Sequence, residues 1–132
     1  MRIYQAGGLF TAAEIEFNRG FCARLREAGH DVFLPQEIEQ QLTPGYGRRI
    51  FLGDVAGLDW AEAVVAILEG ADVDSGTSWE CGYAYGKGKP VFGYRSDFRI
   101  LGPEEKCNLM IEQACVSGLY SDMTALLAAL RS

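Results

Sequence analysis

Histidine occurs once in the 132 residues, cysteines form no CxxC pair, and basic residues are outnumbered by acidic ones. Nor does any apolar run approach the roughly 20 residues of a membrane-spanning helix. Each lack removes a class of function. His30 follows Gly29 where a helical pattern ends, which suits a C-terminal turn. A Ser-His-Asp or Cys-His mechanism would rely on it alone, and no nucleophile motif lies near it. Cys22, Cys81, Cys107 and Cys115 fall inside apolar segments without zinc-type spacing and read as reduced, buried thiols, so no metal site is expected from them. Lys and Arg number 12 against 18 Asp and Glu, a formal net charge of −6. A partner that is a nucleic-acid polymer is not expected, because a phosphate-backbone binder would carry a basic stripe. Met1-Arg2-Ile3-Tyr4 enters a strand at once and leaves no room for a signal peptide, so a cytoplasmic protein without a membrane partner is expected.

What is present is an ordinary globular composition, 48% hydrophobic and 23% charged, without a biased tract, repeat or linker. A single domain over residues 1–132 follows, large enough to bury roughly two thirds of its unfolded surface. The stretch that organises it runs from Asp72 to Pro90. Before it, Ala63-Val64-Val65-Ala66-Ile67-Leu68 is too short and too uniformly apolar for an amphipathic helix and reads as a strand buried on both faces. After it, Pro90-Val91-Phe92-Gly93-Tyr94 is another strand, and between them a helix is expected with Glu80 in its first turn. Such a βαβ unit gathers small-molecule sites outside the carboxyl ends of its strands, where Asp74 stands. Glu80 has two compatible readings. Thr77-Ser78-Trp79-Glu80 fits a capping box, in which the glutamate returns to the N-cap amide. A carboxylate facing the positive end of a helix dipole is also held ionised, as a nucleophile must be. Spacing does not separate the two.

Around this centre, Arg2-Ile3-Tyr4-Gln5-Ala6 reads as the first strand and Gly7-Gly8 as a turn whose glycines allow a ligand close to the backbone. Thr11-Ala12-Ala13-Glu14 is a second capping box, read as structural, opening a helix that keeps Ala13, Phe17, Phe21, Leu25 and Ala28 in period until Gly29. Asp31 to Leu34 is a strand, and a polar loop runs from Pro35 to the Pro44-Gly45 turn. A helix over Gly47 to Leu58 sets Phe51, Val55 and Leu58 on one face with Asp54 in the same stripe. A carboxylate there must find partners, face a cleft or reach water at the helix edge, because stranding it in apolar surroundings is costly. Later, Tyr94 to Arg99 is a charged loop, Glu104 to Val116 can form a helix, and Gly118-Leu119-Tyr120 is a short strand. Ser121 is the expected N-cap of a last helix with Met123, Leu126, Leu127 and Leu130 on its core face. Two motifs fail. Gly86-Lys87-Gly88-Lys89 lacks the Ser/Thr of a phosphate loop, and Asp72-Val73-Asp74-Ser75-Gly76 lacks the downstream ligands of a calcium loop.

Three separated motifs, in order, carry a resemblance over nearly the whole chain. They are Tyr4-Gln5-Ala6-Gly7-Gly8-Leu9-Phe10, then Asp74-Ser75-Gly76-Thr77-Ser78-Trp79-Glu80-Cys81-Gly82-Tyr83-Ala84, and Asn108-Leu109-Met110. With these the sequence resembles the nucleoside 2-deoxyribosyltransferases, although many relatives have Pro where Gly8 stands. The resemblance implies an α/β fold, a flavodoxin-like three-layer α/β/α sandwich with a five-stranded parallel sheet. It also implies transfer of a 2-deoxyribosyl group between nucleobases, with 2′-deoxyribonucleosides and free nucleobases as substrates and no metal or organic cofactor. By that likeness Glu80 is the nucleophile, Tyr4 orients it, and Asp54 exchanges a proton with the base. Asp74 contacts sugar or base, Gly7 lies in the substrate turn, and Gln36 matches a base-contacting position loosely. Asn108 and Met110 would enter the neighbouring subunit's site, in a homodimer or higher oligomer with shared active sites. The rivals are an N-glycosidic hydrolase of 2′-deoxynucleoside 5′-monophosphates and a nucleotide-sensing module on the same fold.

Overall fold

The run from Ala63 to Leu68 is buried along its whole length, and its alternate residues serve two different cores. That is what a central strand covered on both faces requires. The computed structural model describes residues 1–38 and 41–131. Its strands are β1 (Arg2–Ala6), β2 (Asp31–Phe33), β3 (Ala63–Ile67), β4 (Val91–Tyr94) and β5 (Leu119–Tyr120). They form one parallel sheet in the order β2-β1-β3-β4-β5. The helices are α1 (Ala12–Glu27), α2 (Tyr46–Trp60), α3 (Ser75–Gly86), α4 (Leu109–Ala114) and α5 (Met123–Leu130), with a 3-10 turn at Pro35–Glu37. On one face Ile3, Val65, Ile67 and Phe92 pack against Phe21 and Leu25 of α1 and Leu126 and Leu130 of α5. On the other, Tyr4, Val64, Ala66 and Val91 meet Leu58 of α2, Cys81 and Ala84 of α3 and Ile111 of α4. This is the expected three-layer flavodoxin-like sandwich, and its strand order reverses direction between β1 and β3.

The local differences from expectation have local causes. Helix α1 turns Asn18, Phe21, Cys22 and Leu25 inward, leaving Ala13 and Ala28 exposed. Asn18 is drawn in because its Nδ2 donates to the Gly8 carbonyl at 2.9 Å. The helix ends as expected at Gly29, whose φ of 95° supports a Schellman pair of bonds, His30 N to Leu25 O and Gly29 N to Arg26 O. The expected helix over Glu104 to Val116 shrinks to α4, because Asn108 caps it by accepting from Met110 N at 2.9 Å and residues before it form turns. Asp122, not Ser121, caps α5, its Oδ1 accepting from Ala125 N at 2.8 Å. Glu39 and Gln40 of the expected polar loop lie outside the described residues.

The rejected phosphate loop has a structural task instead. Gly88, at φ 72°, closes α3 with a second Schellman pair, and the Lys89 ammonium reaches the last carbonyls of α2. Its Nζ donates to Leu58 O at 2.6 Å, Asp59 O at 2.8 Å and Ala61 O at 2.7 Å. A cation there satisfies orphan acceptors and opposes the negative end of the helix dipole. Lys89→Met is expected to cost about 1–3 kcal/mol, measured as a melting temperature lowered by several degrees, with binding of inorganic phosphate unchanged.

Candidate active site

The reversal of strand order opens a crevice outside the carboxyl ends of β1 and β3, the place where this architecture binds ligands. Gly7, Leu9 and Phe10 follow β1 into it, Pro35 follows β2, and Asp74 and Gly76 follow β3. Phe51, Asp54 and Val55 enter from α2, Trp79 and Glu80 from α3, around a cleft of about 310 Å³. Three carboxylates therefore share one small space, and no Lys or Arg lines it among the described residues. The aromatic walls are unusually open to solvent, with Phe10 77% and Trp79 47% exposed. Phe51 meets Trp79 edge to face at 5.4 Å, and Trp79 stacks on Tyr83 at 5.3 Å.

The start of α3 decides what Glu80 is free to do. Asp74 is the N-cap, its Oδ2 accepting from Thr77 N and Thr77 Oγ1, both at 3.0 Å. The Thr77 capping box is thereby overturned, and Glu80 lies in the second turn rather than the first. Thr77 is buried, with its hydroxyl already committed to Asp74. Glu80 instead accepts through Oε2 from the hydroxyl of Tyr4, which is fully buried on β1. Glu14, by contrast, spends its carboxylate on the amides of Thr11 and Phe10, at 2.9 and 3.2 Å, and is structural as expected.

Burial sets the electrostatics. Loss of water pushes the Glu80 carboxyl up to about 7; the Tyr4 hydrogen bond pulls it down, and the charges of Asp54 and Asp74 push it up again. Asp54, half-buried on α2, is also raised by burial, so it keeps a proton to higher pH than an exposed aspartate. Tyr4 is raised far above the ordinary phenol range, first by burial and then by Glu80, and so remains a donor throughout the working range. Among the described residues no cluster of three or more His, Cys, Asp or Glu side chains is arranged to hold a metal ion.

Comparison with known proteins bears on the family and the fold. The family model for nucleoside 2-deoxyribosyltransferase matches residues 3–123. The chain belongs to that family. Among solved structures, a conserved protein from Enterococcus faecalis superposes with a TM-score of 0.86 at 27% identity, covering 99% of this chain and 97% of the other. The 2-deoxyribosyltransferase of Bacillus psychrosaccharolyticus gives 0.83 at 26% identity, covering 96% and 90%. A CMP N-glycosidase of Clostridium botulinum shares the fold at 0.65 and 17% identity, over the full length of both chains. No curated protein matches by sequence.

Within this family member the other expected site residues lie at varying distances from the cleft. Gly7 and Asp74 line it. Gln36 does not, because its Nε2 donates to Ile15 O at 2.9 Å and its Oε1 accepts from Asn18 Nδ2 at 3.0 Å. Asn108 caps α4, and Met110, 74% exposed, borders a separate groove of about 590 Å³ between α3 and α4. Trp79 belongs to both recesses. Asn18 was missed from sequence; it fixes the Gly7-Gly8 turn and Gln36 together, and its only signal is a polar residue beside an apolar stripe.

The raised Glu80 carboxyl has a consequence for folding. Its native value lies above the unfolded one, so the group's full stabilising contribution is present below the unfolded value of 4.5 and is lost as pH rises through about 7. Glu80→Gln, which keeps an acceptor for Tyr4, is therefore expected to be more stable than the natural protein at pH 8 by about 1–3 kcal/mol. The gap should close at pH 4, which thermal melts of both proteins across that range will measure.

Proposed function

We propose that the cleft transfers a 2-deoxyribosyl group between nucleobases through a covalent ester on Glu80. One observation supports this above all: a partly buried carboxylate held through Oε2 by Tyr4, with no hydrogen bond to Oε1 among the described residues, beside a second carboxyl that burial makes harder to ionise. Glu80 Oε1 attacks C1′ of a 2′-deoxyribonucleoside. The bond from C1′ to the base nitrogen breaks, its electron pair leaves with the base, and Asp54 gives the base a proton. A second base then attacks C1′, returns a proton to Asp54 and releases Glu80 as carboxylate. Two inversions give net retention, the logic of a retaining glycosidase with a nucleobase in place of water. Asp74 contacts sugar or base, Gly7 lets the backbone come close, and the rings of Phe10, Phe51 and Trp79 offer stacking surfaces to the base. Asn108 and Met110 act on the site of a second copy, in a homodimer or higher oligomer. The setting is nucleotide salvage in the cytoplasm.

Hydrolysis of a 5′-monophosphate fits less well, because an acidic cleft lined by no Lys or Arg among the described residues repels a phosphate. Incubation with 2′-deoxyinosine and adenine should yield 2′-deoxyadenosine. Hypoxanthine with free deoxyribose would mark a hydrolase instead, and ligand binding without turnover a sensor. Glu80→Gln should lose at least about a thousandfold in rate while staying folded, and an active variant would remove the nucleophile role. The acid limb of kcat/KM should lie near pH 7, where Glu80 ionises, with rate rising as pH rises. Mixing inactive Glu80→Ala and Asn108→Ala proteins should restore activity through hybrid dimers. Failure after demonstrated subunit exchange would make each site self-contained.

A further inference from the structure

Phe33 does not line the cleft; it borders a second recess, shared with the outer side of Asp54, and meets the nucleophile's partner Tyr4. It ends β2, is paired in register with Tyr4 across the sheet, and stacks on the Tyr4 ring at 5.2 Å and 12°. On α2, Gly57 is buried, and a Cβ added there would lie 2.9 Å from each of three Phe33 ring atoms. Three equal distances put that point over the face of the ring. Since one face carries Tyr4, Gly57 closes on the other. The Phe33 ring is thus held between a tyrosine ring and a helix backbone, in a slot that any side chain at position 57 would fill.

We infer that Phe33 is a positioning residue for the nucleophile: clamped by Gly57, it fixes the plane of Tyr4 so that the hydroxyl stays aimed at Glu80. The inference rests on the proposed role of Glu80 only for its kinetic readout. The phenol O–H prefers the plane of its ring, so a Tyr4 ring that turns without its stacking partner keeps its oxygen in place but swings the donor hydrogen out of line, and a hydrogen bond to a partly buried carboxylate weakens steeply with misalignment. Glu80 would then lose the one neighbour that favours its ionised form, while Asp54 from α2, Asp74 at the N-cap and the adjacent Cys81 thiol remain. The carboxyl should therefore ionise at higher pH, whatever happens to overall stability.

The experiment is carbon NMR titration of Glu80 in glutamate-labelled protein, assigned by its absence in Glu80→Gln, alongside the pH profile of deoxyribosyl transfer. Phe33→Leu should move the Glu80 titration up by about one pH unit, and with it the acid limb of kcat/KM, a roughly tenfold loss at pH 6. Tyr4→Phe should shift it likewise, and Phe33→Leu added to Tyr4→Phe should shift it no further. Gly57→Ala, which displaces the ring without removing it, should shift it in the same direction and serves if Phe33→Leu does not fold. A Phe33 or Gly57 variant that melts lower yet titrates Glu80 as the natural protein does would overturn the inference. So would an undiminished shift in the Tyr4→Phe background. Because the NMR titration needs no turnover, absence of transfer activity would count against the proposed reaction and leave this result standing.

Discussion

A carboxylate withdrawn from water must be given a donor or it will hold its proton, and in this fold Tyr4 is the donor for Glu80. The arrangement needs β1 and α3 to meet outside the sheet, a bare turn at Gly7 and Gly8, and a helix N-terminus that does not call on Glu80. Asp74 meets the last need by taking the Thr77 amide and hydroxyl itself. Burial pushes the Glu80 carboxyl up to about 7, so its desolvation makes the ionised group a burden on the folded state above that pH. Asp54 shares that environment from α2, and two carboxyls on separate helices with unlike partners are the usual way for one site to hold an acid and a base together.

Much of the fold was legible because it rests on local patterns. The run from Ala63 to Leu68 could only be a strand covered twice, and Gly29 could only be a helix end. The parallel order of the sheet came from resemblance, since nothing in a strand's own residues says which neighbour it takes. At the site, the sequence was read as starting α3 at Thr77, whereas Asp74, an equally good N-cap residue three positions earlier, is the one that caps it. A local contact set the earlier start, with the Thr77 amide and hydroxyl both donating to Asp74. Buried polar residues were the least legible. Asn18 fell in no motif and Arg95 in a stretch read as a charged loop, yet Asn18 holds the Gly8 carbonyl, and Arg95 donates to Leu68 O at 2.6 Å and Gly70 O at 2.8 Å. Their partners are main-chain oxygens distant along the chain, which no side-chain pattern records. Gln36 illustrates the converse: its position matched a substrate contact, but Asn18 and Ile15 occupy both ends of its amide.

Asn108 and Met110 stand apart from the cleft of their own chain, beside an apolar groove that shares Trp79 with it. One indole thus has two duties, as a wall for whatever enters the cleft and as part of a surface between α3 and α4. Its ring is steadied from behind by Tyr83, whose hydroxyl donates to Asp59 of α2 at 2.6 Å.

That last bond and the contact of Phe51 with Trp79 tie α2 to α3 at two places, while the Lys89 ammonium, beyond α3, closes the end of α2. Helices of 15 and 12 residues are about 22 and 18 Å long. Asp54 and Glu80 both lie between these two ties, so the gap separating the acidic groups depends on how the two helices are joined.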